Sequence, residues 1–275
     1  MAIQTPLMTI MQDAARKASR SLIRDFGEVE NLQVSRKGPA DFVSAADKKA
    51  EEVLLDNLRR DRPGYSFLME EGGEIKGTDK THRFIVDPLD GTTNFLHGIP
   101  HFAISVALER TLNGKAELVA GLVYNPISDE MFHAEAGRGA FLNAGRGGAD
   151  VKLKAAARTN FNDALFATGI PFLGRPGHAK FLTGLHKVMA ESAGVRRLGA
   201  ASLDLAWAAA GRYDGFWERG LAPWDTAAGI VIAKEAGLLV RQLDSDADIA
   251  NQDPCTSGDI ICANADLLPE LMKRV

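Results

Sequence analysis

Two closely spaced aspartates, Asp87 and Asp90, are the strongest candidates for chemistry in this sequence. The apolar run Phe84-Ile85-Val86 before them predicts a buried strand, and Pro88 should end it because proline cannot donate to a sheet ladder. A turn at Asp90-Gly91 then brings both carboxylates to one strand end. Thr92-Thr93-Asn94 favours the start of a helix, whose first amides can bind an anion. Carboxylates for a cation beside amides for an anion predict a metal and phosphate site.

Turn formation is the competing explanation of these residues. Asp-Pro and Asp-Gly are both common in turns, so either pair taken alone needs no function. The buried strand, the spaced aspartates and the Gly-Thr-Thr-Asn run favour the site only when they are taken together.

Three further acidic positions can converge on the same point. Glu70-Glu71 follows the predicted strand Ser66 to Met69, where a solvated charge pair at a turn is the simpler explanation. Asp225 opens an apolar helix, where it also interacts favourably with the helix dipole. Asp47 stands three residues after Ser44, the spacing of a capping box, and that role is compatible with a functional one.

Hydrophobic periodicity and turn signals predict the elements that must position these carboxylates. Helices are predicted from Thr5-Pro6 with a stop at Gly27, from Ser44 onward, and over His178 to Glu191, Ser202 to Ala210, Trp224 to Glu235 and Ala265 to Arg274. Strands are predicted over Ser66 to Met69, Arg83 to Val86, Phe102 to Glu109, Lys115 to Tyr124, Asp129 to Ala134, Leu165 to Thr168, Val195 to Leu198, Gly215 to Glu218, Leu238 to Arg241 and Ile260 to Ala263. Asn113-Gly114 between two of these strands is a strong hairpin signal.

The order of these elements predicts an α/β protein in two halves. Residues 1–150 are expected to form an α+β half that carries most of the candidate ligands. Residues 151–275 are expected to form an α/β half that carries Asp225. We expect the halves to stack as layers in one compact unit.

Composition narrows the class of protein. The 275 residues include 36 acidic and 32 basic side chains, a formal net charge of −4, which argues against a dedicated nucleic-acid binder. Apolar stretches such as Phe102 to Leu108 are far shorter than the roughly 20 residues that span a bilayer. The start of the chain has no basic region before its apolar residues, so no signal peptide is expected. Cys255 and Cys262 are too few for a disulfide scaffold, and a cytoplasmic location is expected.

The sequence resembles the inositol monophosphatase family in an ordered set of segments that covers nearly the whole chain. The string Asp-Pro-Leu-Asp-Gly-Thr-Thr-Asn-Phe at 87–95 is the most specific of these, and by itself indicates the superfamily of lithium-sensitive, magnesium-dependent phosphatases. The other matching segments are 41–47 (DFVSAAD), 70–71 (EE), 124–126 (YNP), 199–204 (GAASLD) and 223–229 (PWDTAAG). The resemblance implies a layered αβαβα sandwich of the inositol monophosphatase and fructose-1,6-bisphosphatase type, usually as a homodimer.

The resemblance also implies a role for individual residues. The implied metal ligands are the carboxylates of Glu70, Asp87, Asp90 and Asp225 and the backbone carbonyl of Leu89. Asp47 and Thr92, with Glu70, match residues that hold and activate the attacking water. Phosphate and substrate contacts are implied for Asp90, Asp225, the amides of Gly91 and Thr92, Glu218, and Ala201 in the matching loop.

Physical arguments support the implied mechanism. Hydrolysis of a phosphate monoester requires accelerations of up to about 10²¹, whereas one general acid or base supplies only about 10²–10⁴. Two or three divalent ions can provide the missing electrostatics and positioning. Oxygen ligands suit Mg²⁺, so we expect in-line attack by a metal-activated water aided by Thr92 and Asp47, and stabilisation of the leaving alkoxide by a second ion. Inhibition by Li⁺ is implied by the resemblance.

The sequence departs from the family pattern at two positions. Gly72 stands where many relatives have Ser or Thr after the acidic pair, and Ala200 replaces a frequent hydroxyl residue after Gly199. The second change leaves the details of the substrate contact open. No implied metal ligand is lost.

Several alternative functions follow from the same resemblance. Alternative substrates within the superfamily are fructose-1,6-bisphosphate, 3′-phosphoadenosine-5′-phosphate and histidinol phosphate, although Thr93-Asn94 and Glu218 favour inositol monophosphate. Some bacterial relatives act as transcription antitermination and rRNA maturation factors with RNA polymerase. Arg196-Arg197 and the Arg175 to Lys180 region offer a basic surface for that role, and ordinary solvated charge is the simpler explanation of both. No membrane and no direct nucleic-acid partner is expected.

Overall fold

The computed structural model describes residues 5–26, 34–38, 41–145, 148–244 and 252–275, with only the backbone described for 34–38 and 41–44. The helices are α1 Pro6–Phe26, α2 Ala45–Asp61, α3 Thr92–Leu96, α4 His178–Glu191, α5 Ala201–Ala209, α6 Pro223–Glu235, α7 Pro254–Ser257 and α8 Leu267–Met272. Among the described residues, no helix combines the length and the apolarity needed to cross a bilayer.

The strands form one small and two large sheets. Their bounds are β1 Val34–Gly38, β2 Asp41–Ser44, β3 Ser66–Met69, β4 Gly73–Ile75, β5 His82–Asp90, β6 Ala103–Leu112, β7 Lys115–Asn125, β8 Glu130–Glu135, β9 Gly139–Ala144, β10 Val151–Lys152, β11 Leu165–Thr168, β12 Gly194–Arg196, β13 Gly215–Glu218, β14 Leu239–Gln242 and β15 Ile260–Ala263. Strands β1 and β2 pair with each other. The eight-stranded sheet has the order β10-β9-β8-β7-β6-β5-β3-β4, and the five-stranded sheet has the order β12-β11-β13-β15-β14.

Three apolar clusters show that the elements stack in five layers. Helices α1 and α2 cover one face of the eight-stranded sheet. Helices α5 and α6 fill the space between that sheet and the five-stranded sheet. Helix α8 and the Val188 side of α4 cover the outer face of the five-stranded sheet. This mixed α/β, αβαβα arrangement confirms the fold class predicted from the sequence.

Strand β5 is covered on both faces, which explains why its sequence is apolar without alternation. Phe84 and Val86 point into the cluster with α1 and α2, whereas Ile85 points into the cluster with α5 and α6. Because successive side chains of a strand face opposite sides of the sheet, a strand covered on both faces needs apolar residues at every position. The candidate aspartates therefore leave the strand between two buried layers.

The central elements lie where the sequence predicts them. The strands Ser66–Met69, Leu165–Thr168, Gly215–Glu218 and Ile260–Ala263 and the helix His178–Glu191 have the predicted bounds, and the other predicted elements differ at their ends by a few residues. Asn113 and Gly114 both have positive φ, 52° and 78°, as the tight turn of the predicted β6–β7 hairpin requires. The Gly27 stop and the Ser44 side chain lie outside what the structure describes.

One prediction about β5 is wrong. Pro88 does not end the strand, which continues to Asp90. The pairing with β6 passes from Asp87 opposite Ser105 to Asp90 opposite Ala103, three steps on β5 against two on β6. Such a bulge leaves an unpaired position, so a residue without an N–H is tolerated there. Strands β1, β2, β4, β9 and β10 and the short helix α7 were not predicted from the sequence.

Candidate metal centre

Glu70 and Asp87 leave the eight-stranded sheet side by side. Strands β3 and β5 are parallel, with Met69 opposite Val86, so the next residue of each strand emerges at the same edge. The Glu70 N–H donates to the Val86 carbonyl at 3.1 Å, which holds the two ends together. Burial, followed by the charge of Glu70, raises the pKa of Asp87, so the two carboxyl groups lie close enough to interact.

The bulge in β5 places Asp90 beside Asp87. The Leu89 N–H donates to Asp87 Oδ1 at 2.8 Å, which closes the short loop between the two aspartates. Both aspartates are buried, with 1% and 8% of their surface exposed. The Asp-Pro-Leu-Asp run therefore places two carboxylates next to each other at the end of one strand.

Asp225 reaches the same point from the middle layer. It lies in the first turn of α6, and its Oδ2 accepts the N–H of Ala222 at 2.7 Å. The Ser105 hydroxyl donates to the Trp224 carbonyl at 2.9 Å, and Ser105 is the β6 residue opposite Asp87. The start of α6 is thus tied to the strand position next to the aspartates.

Two glycines allow α6 to come close enough. A Cβ at Gly121 of β7 would overlap the Ala228 carbonyl of α6, and a Cβ at Gly229 of α6 would lie 2.6 Å from Leu205 Cβ of α5. Real Cβ atoms do not approach neighbours this closely, so both contacts depend on the missing side chain. The close packing brings Asp225 from the second half to the aspartates of the first.

Carboxylate oxygens of Asp87, Asp90 and Asp225 all lie within 4.8 Å of one another. At that spacing each pair of charges repels by on the order of 4 kcal/mol for an effective dielectric of about 20. Burial, with the neighbouring carboxylates, raises the pKa of Asp87 well above its usual range. Burial also raises the pKa of Asp90 to about 6 and that of Asp225 to about 8.

These donors fit a hard divalent cation. The oxygen-only set of Asp87, Asp90 and Asp225, with Glu70 at its edge and the Leu89 carbonyl next to it, has the chemistry that Mg²⁺ prefers. A cation at this point offsets the burial and the repulsion that raise these pKa values, because it stabilises the ionised form of each carboxyl. The structure therefore brings together three of the acidic residues that the sequence singled out, Asp87, Asp90 and Asp225, whereas Glu70 and Asp47 are not members of that group.

Thr92 connects the aspartate loop to α2. Its hydroxyl lies 3.1 Å from Asp47 Oδ1 and 3.1 Å from the Leu89 carbonyl, so its single proton can be donated to either acceptor. Asp47 is buried in the first turn of α2. The pair can hold a water molecule and pass a proton from it, since the Thr92 oxygen can accept while its own proton moves toward Asp47.

Gly91 forms the N-cap of α3 with φ +91°, a backbone conformation that residues other than glycine rarely adopt. A Cβ there would lie 3.1 Å from the His101 carbonyl and 3.2 Å from Ala200 Cβ. The Asn94 amide donates at 2.7 Å to the carbonyls of both His101 and Leu198. These contacts hold the first turn of α3, with its amides, against the loop that leads into α5.

Ser202 is a site residue that the sequence reasoning missed. It follows Ala201, the predicted substrate contact, which is buried as the first residue of α5. The N–H and the hydroxyl of Ser202 both donate to Asp90 Oδ2, at 2.8 and 2.5 Å, and these bonds lower the Asp90 pKa against the effect of burial. The signal was present, because a serine in the first turn of an otherwise apolar helix is a candidate hydrogen-bond donor.

Glu218 lies at the end of β13, on the side of the second half. Burial raises its pKa well above the usual range, and the charges of Asp204, Asp225 and Asp90 act in the same direction. The structure therefore places this predicted substrate contact close to the aspartate cluster but outside it.

Comparisons with a family model, with known proteins and with solved structures all find similarity to the same group of proteins. A model of the Inositol monophosphatase family matches residues 3–275. The Inositol-1-monophosphatase of Caulobacter vibrioides is 54% identical over 266 residues, which cover 96% of this chain and 99% of that protein. The Nus factor SuhB of Escherichia coli K12 is 40% identical over 235 residues, which cover 86% of this chain and 84% of that protein. The crystal structure of extragenic suppressor protein suhB from Bartonella henselae superposes with a TM-score of 0.89 at 52% identity, over 98% of each chain.

Proposed function

This chain belongs to the inositol monophosphatase family, a family of phosphatases, and we propose that it uses Mg²⁺ to hydrolyse inositol monophosphate to inositol and phosphate. The observation that carries the proposal is the convergence of Asp87, Asp90 and Asp225, from two layers of the fold, within 4.8 Å of one another. Buried carboxylates in such a group are stable as anions only beside a cation.

The carboxylates of Glu70, Asp87, Asp90 and Asp225 and the Leu89 carbonyl would hold two to three Mg²⁺ ions. When bound, these ions supply an acidified water and charge neutralisation on the phosphate and leaving oxygens, the chemistry that Li⁺ would inhibit by competing for the site. The protein contributes ligands that the fold holds in position, such as Asp90 with its two bonds from Ser202, and this lowers the cost of ordering the site.

Thr92 and Asp47 orient the attacking water. The hydrogen-bonded pair lies next to the Leu89 carbonyl and the aspartate loop, so a water on the Thr92 oxygen is directed toward the cluster. The proton released by the water passes to Thr92 as the Thr92 proton moves to Asp47. The amides of Gly91 and Thr92 at the start of α3 would bind the non-bridging oxygens of the phosphate.

Glu218 and the start of α5 at Ala201 form the side of the site that contacts the alcohol. Glu218 comes from β13, Ala201 from α5, and Ala201 precedes the residue bonded to Asp90. A carboxylate accepts hydrogen bonds from hydroxyl groups, which suits a ring with several of them. We propose accordingly that residues 1–150 and 151–275 act as one compact unit, with the metal ligands mostly in the first part and the alcohol contacts in the second.

The decisive experiment measures phosphate release from a panel of esters with Mg²⁺ and with EDTA. We expect inositol 1-phosphate to be hydrolysed with a higher kcat/KM than fructose-1,6-bisphosphate, 3′-phosphoadenosine-5′-phosphate and histidinol phosphate, and Li⁺ to inhibit the reaction. Asp90→Asn should abolish the activity, and the exposed Asp56→Asn on α2 is the matched control that should retain it. A bisphosphate substrate preferred by orders of magnitude would refute the proposed substrate.

A second, non-catalytic function is favoured by the 40% identity to the Nus factor SuhB. In this chain the basic positions Arg196 and Arg197 are exposed, but Lys180 is paired with Asp244 at 2.5 Å, so part of the basic surface is neutralised. We propose an additional role with RNA polymerase and antitermination factors. A pull-down from cell extract with the Asp90→Asn variant tests it, since this role should survive the loss of phosphatase activity.

We also propose a cytoplasmic homodimer. Leu182 and Met189, seven residues apart on α4, expose 61% and 53% of their surface, and Leu173 before α4 exposes 72%. Apolar side chains on one helical face are typical of a surface covered by another chain. Light scattering coupled to size exclusion should give twice the 29.6 kDa of the chain, and Leu182→Glu should give a monomer.

A further inference from the structure

The carboxylate of Glu218 rests directly on Gly169. Strands β11 and β13 are parallel, with Thr168 opposite Trp217, so Gly169 and Glu218 leave the sheet side by side. A Cβ on Gly169 would overlap the carboxylate, and its three nearest atoms would be Oε1, Cδ and Oε2 of Glu218. The place that a side chain would take at residue 169 is thus occupied by the end of Glu218.

Backbone conformation does not explain this glycine. Gly169 is not among the glycines with positive φ, so the backbone there suits any residue. Its backbone is also held in position, because the buried Thr168 hydroxyl lies 3.1 Å from the Gly169 carbonyl and 2.8 Å from the Trp217 carbonyl. The need for space beside Glu218 is therefore what requires a glycine.

The environment of Glu218 indicates a ligand rich in hydroxyl groups. Within the part of the chain that the structure describes, no residue donates a hydrogen bond to its carboxylate. The charges of Asp204, Asp225 and Asp90 repel it, and the smaller effect of Arg197 acts in the opposite direction. A carboxylate in such surroundings is stabilised by donors from outside the protein, and a polyol supplies neutral O–H donors without adding charge.

We propose that Gly169 is a specificity-determining residue for cyclic polyol phosphates, acting through Glu218. By lacking a side chain it lets the Glu218 carboxylate stand where it receives hydroxyls of the alcohol. Gly169 is a positioning residue, since it touches Glu218 and not the reacting atoms. This inference rests on the proposed phosphatase function and adds to it the residue that fixes the alcohol contact.

The test compares two substrates that differ in hydroxyl groups. Inositol 1-phosphate has five free hydroxyls, whereas p-nitrophenyl phosphate has none. The readout is the ratio of their kcat/KM values, because a general loss of folded protein cancels from the ratio. Gly169→Ala should lower this ratio by about 10- to 100-fold, the range expected for lost hydrogen bonds to a charged group, mainly through a higher KM for the inositol ester.

A double variant shows whether the effect passes through Glu218. Glu218→Ala should lower the ratio by a similar factor, and Gly169→Ala/Glu218→Ala should match Glu218→Ala within about twofold, because the atoms that the new Cβ would overlap are gone. Gly64→Ala is the matched control, since its Cβ would lie 3.2 Å from Thr78 Oγ1, and Gly64 precedes β3 at the end of the strand opposite to Glu70. This control should keep the wild-type ratio.

The outcomes separate this inference from the proposed function. A wild-type ratio in Gly169→Ala, or a double variant whose loss is the product of the two single losses, overturns the role of Gly169 alone. A wild-type protein that hydrolyses neither ester overturns the proposed function. If Gly169→Ala alone does not fold, recovery of folding in the double variant supports the contact, and failure of both overturns it.

Discussion

Ser202 donates its backbone N–H and its hydroxyl to the same oxygen of Asp90, Oδ2, at 2.8 and 2.5 Å. Asp90 ends a strand of the eight-stranded sheet, and Ser202 lies in the first turn of α5 in the middle layer. The two donors fix the rotation of the carboxylate, one oxygen of which lies within 4.8 Å of carboxylate oxygens of Asp87 and Asp225. Orientation of a ligand by such a hydrogen bond is a common way to tune a metal site.

Ser202→Ala should weaken Mg²⁺ binding by about 10-fold. One charge-assisted donor to Asp90 is lost, and such a bond contributes about 1.5–3 kcal/mol, while the backbone N–H remains. The pKa of Asp90 should rise, because the bonds from Ser202 are what lower it. Calorimetric titration with Mg²⁺ at a fixed pH measures the change. Ser128→Ala, at an exposed position, is the control, and an unchanged affinity in Ser202→Ala would contradict this role of the hydroxyl.

Thr92→Val should lower kcat by about 100-fold or more at saturating Mg²⁺. Valine has a similar shape but cannot accept a proton from water or donate one to Asp47, and general acid–base steps contribute about 10²–10⁴. Thr92→Ser keeps the hydroxyl and should retain most of the rate. Steady-state kinetics with the inositol ester distinguish the two variants, and equal losses in both would argue for a packing role instead.

Metal-free protein should lose stability as the pH rises from about 4 to about 8. The pKa values of Asp90 and Asp225 are raised to about 6 and about 8 in the folded state. Between the unfolded value near 4 and these values, the folded state holds protons that the unfolded state has released. The free energy of unfolding therefore falls with pH, by about 1.4 kcal/mol per unit for each extra proton held.

Urea denaturation in EDTA at several pH values measures this slope. Asp225→Asn removes one of the titrating groups, so its slope should be shallower than that of the wild type over the same pH range. Saturating Mg²⁺ should flatten the wild-type profile, because the bound cation replaces the protons. A stability that rises with pH in EDTA would show that the aspartates are ionised in the metal-free protein.

Gly229→Ala should destabilise the protein by about 1–3 kcal/mol, the usual cost of an overpacked core. In an uncrowded helix the same change stabilises by about 1 kcal/mol, so the sign of the effect reports the contact with Leu205. Urea denaturation gives the values. With Leu205→Ala in addition, the total loss should be smaller than the sum of the single losses, and a simple sum would mean that the two helices do not meet at this point.

Much of the architecture could be predicted from the sequence because its signals are local. The apolar strands, the Asn113-Gly114 turn and the helices fall close to their predicted places, since propensity and periodicity act over a few residues. The prediction at Pro88 was wrong because the structure there depends on a contact that is not local. Whether a strand stops at a proline or bulges past it depends on the partner strand, here β6, which a local pattern does not contain.

The sequence by itself determined which side chains were available: the aspartates at 87 and 90, the acidic pair at 70–71, and an aspartate that opens an apolar helix. Only the tertiary structure decided which of them meet. The parallel register of β3 and β5 sets Glu70 beside Asp87, and the absence of side chains at Gly121 and Gly229 lets α6 carry Asp225 to the same point. The contacts of Ser202 with Asp90 and of Glu218 with Gly169 were likewise decided by the tertiary structure. They join residues far apart in the chain, and the packing of layers, which depends on the shape of every element at once, brings them together.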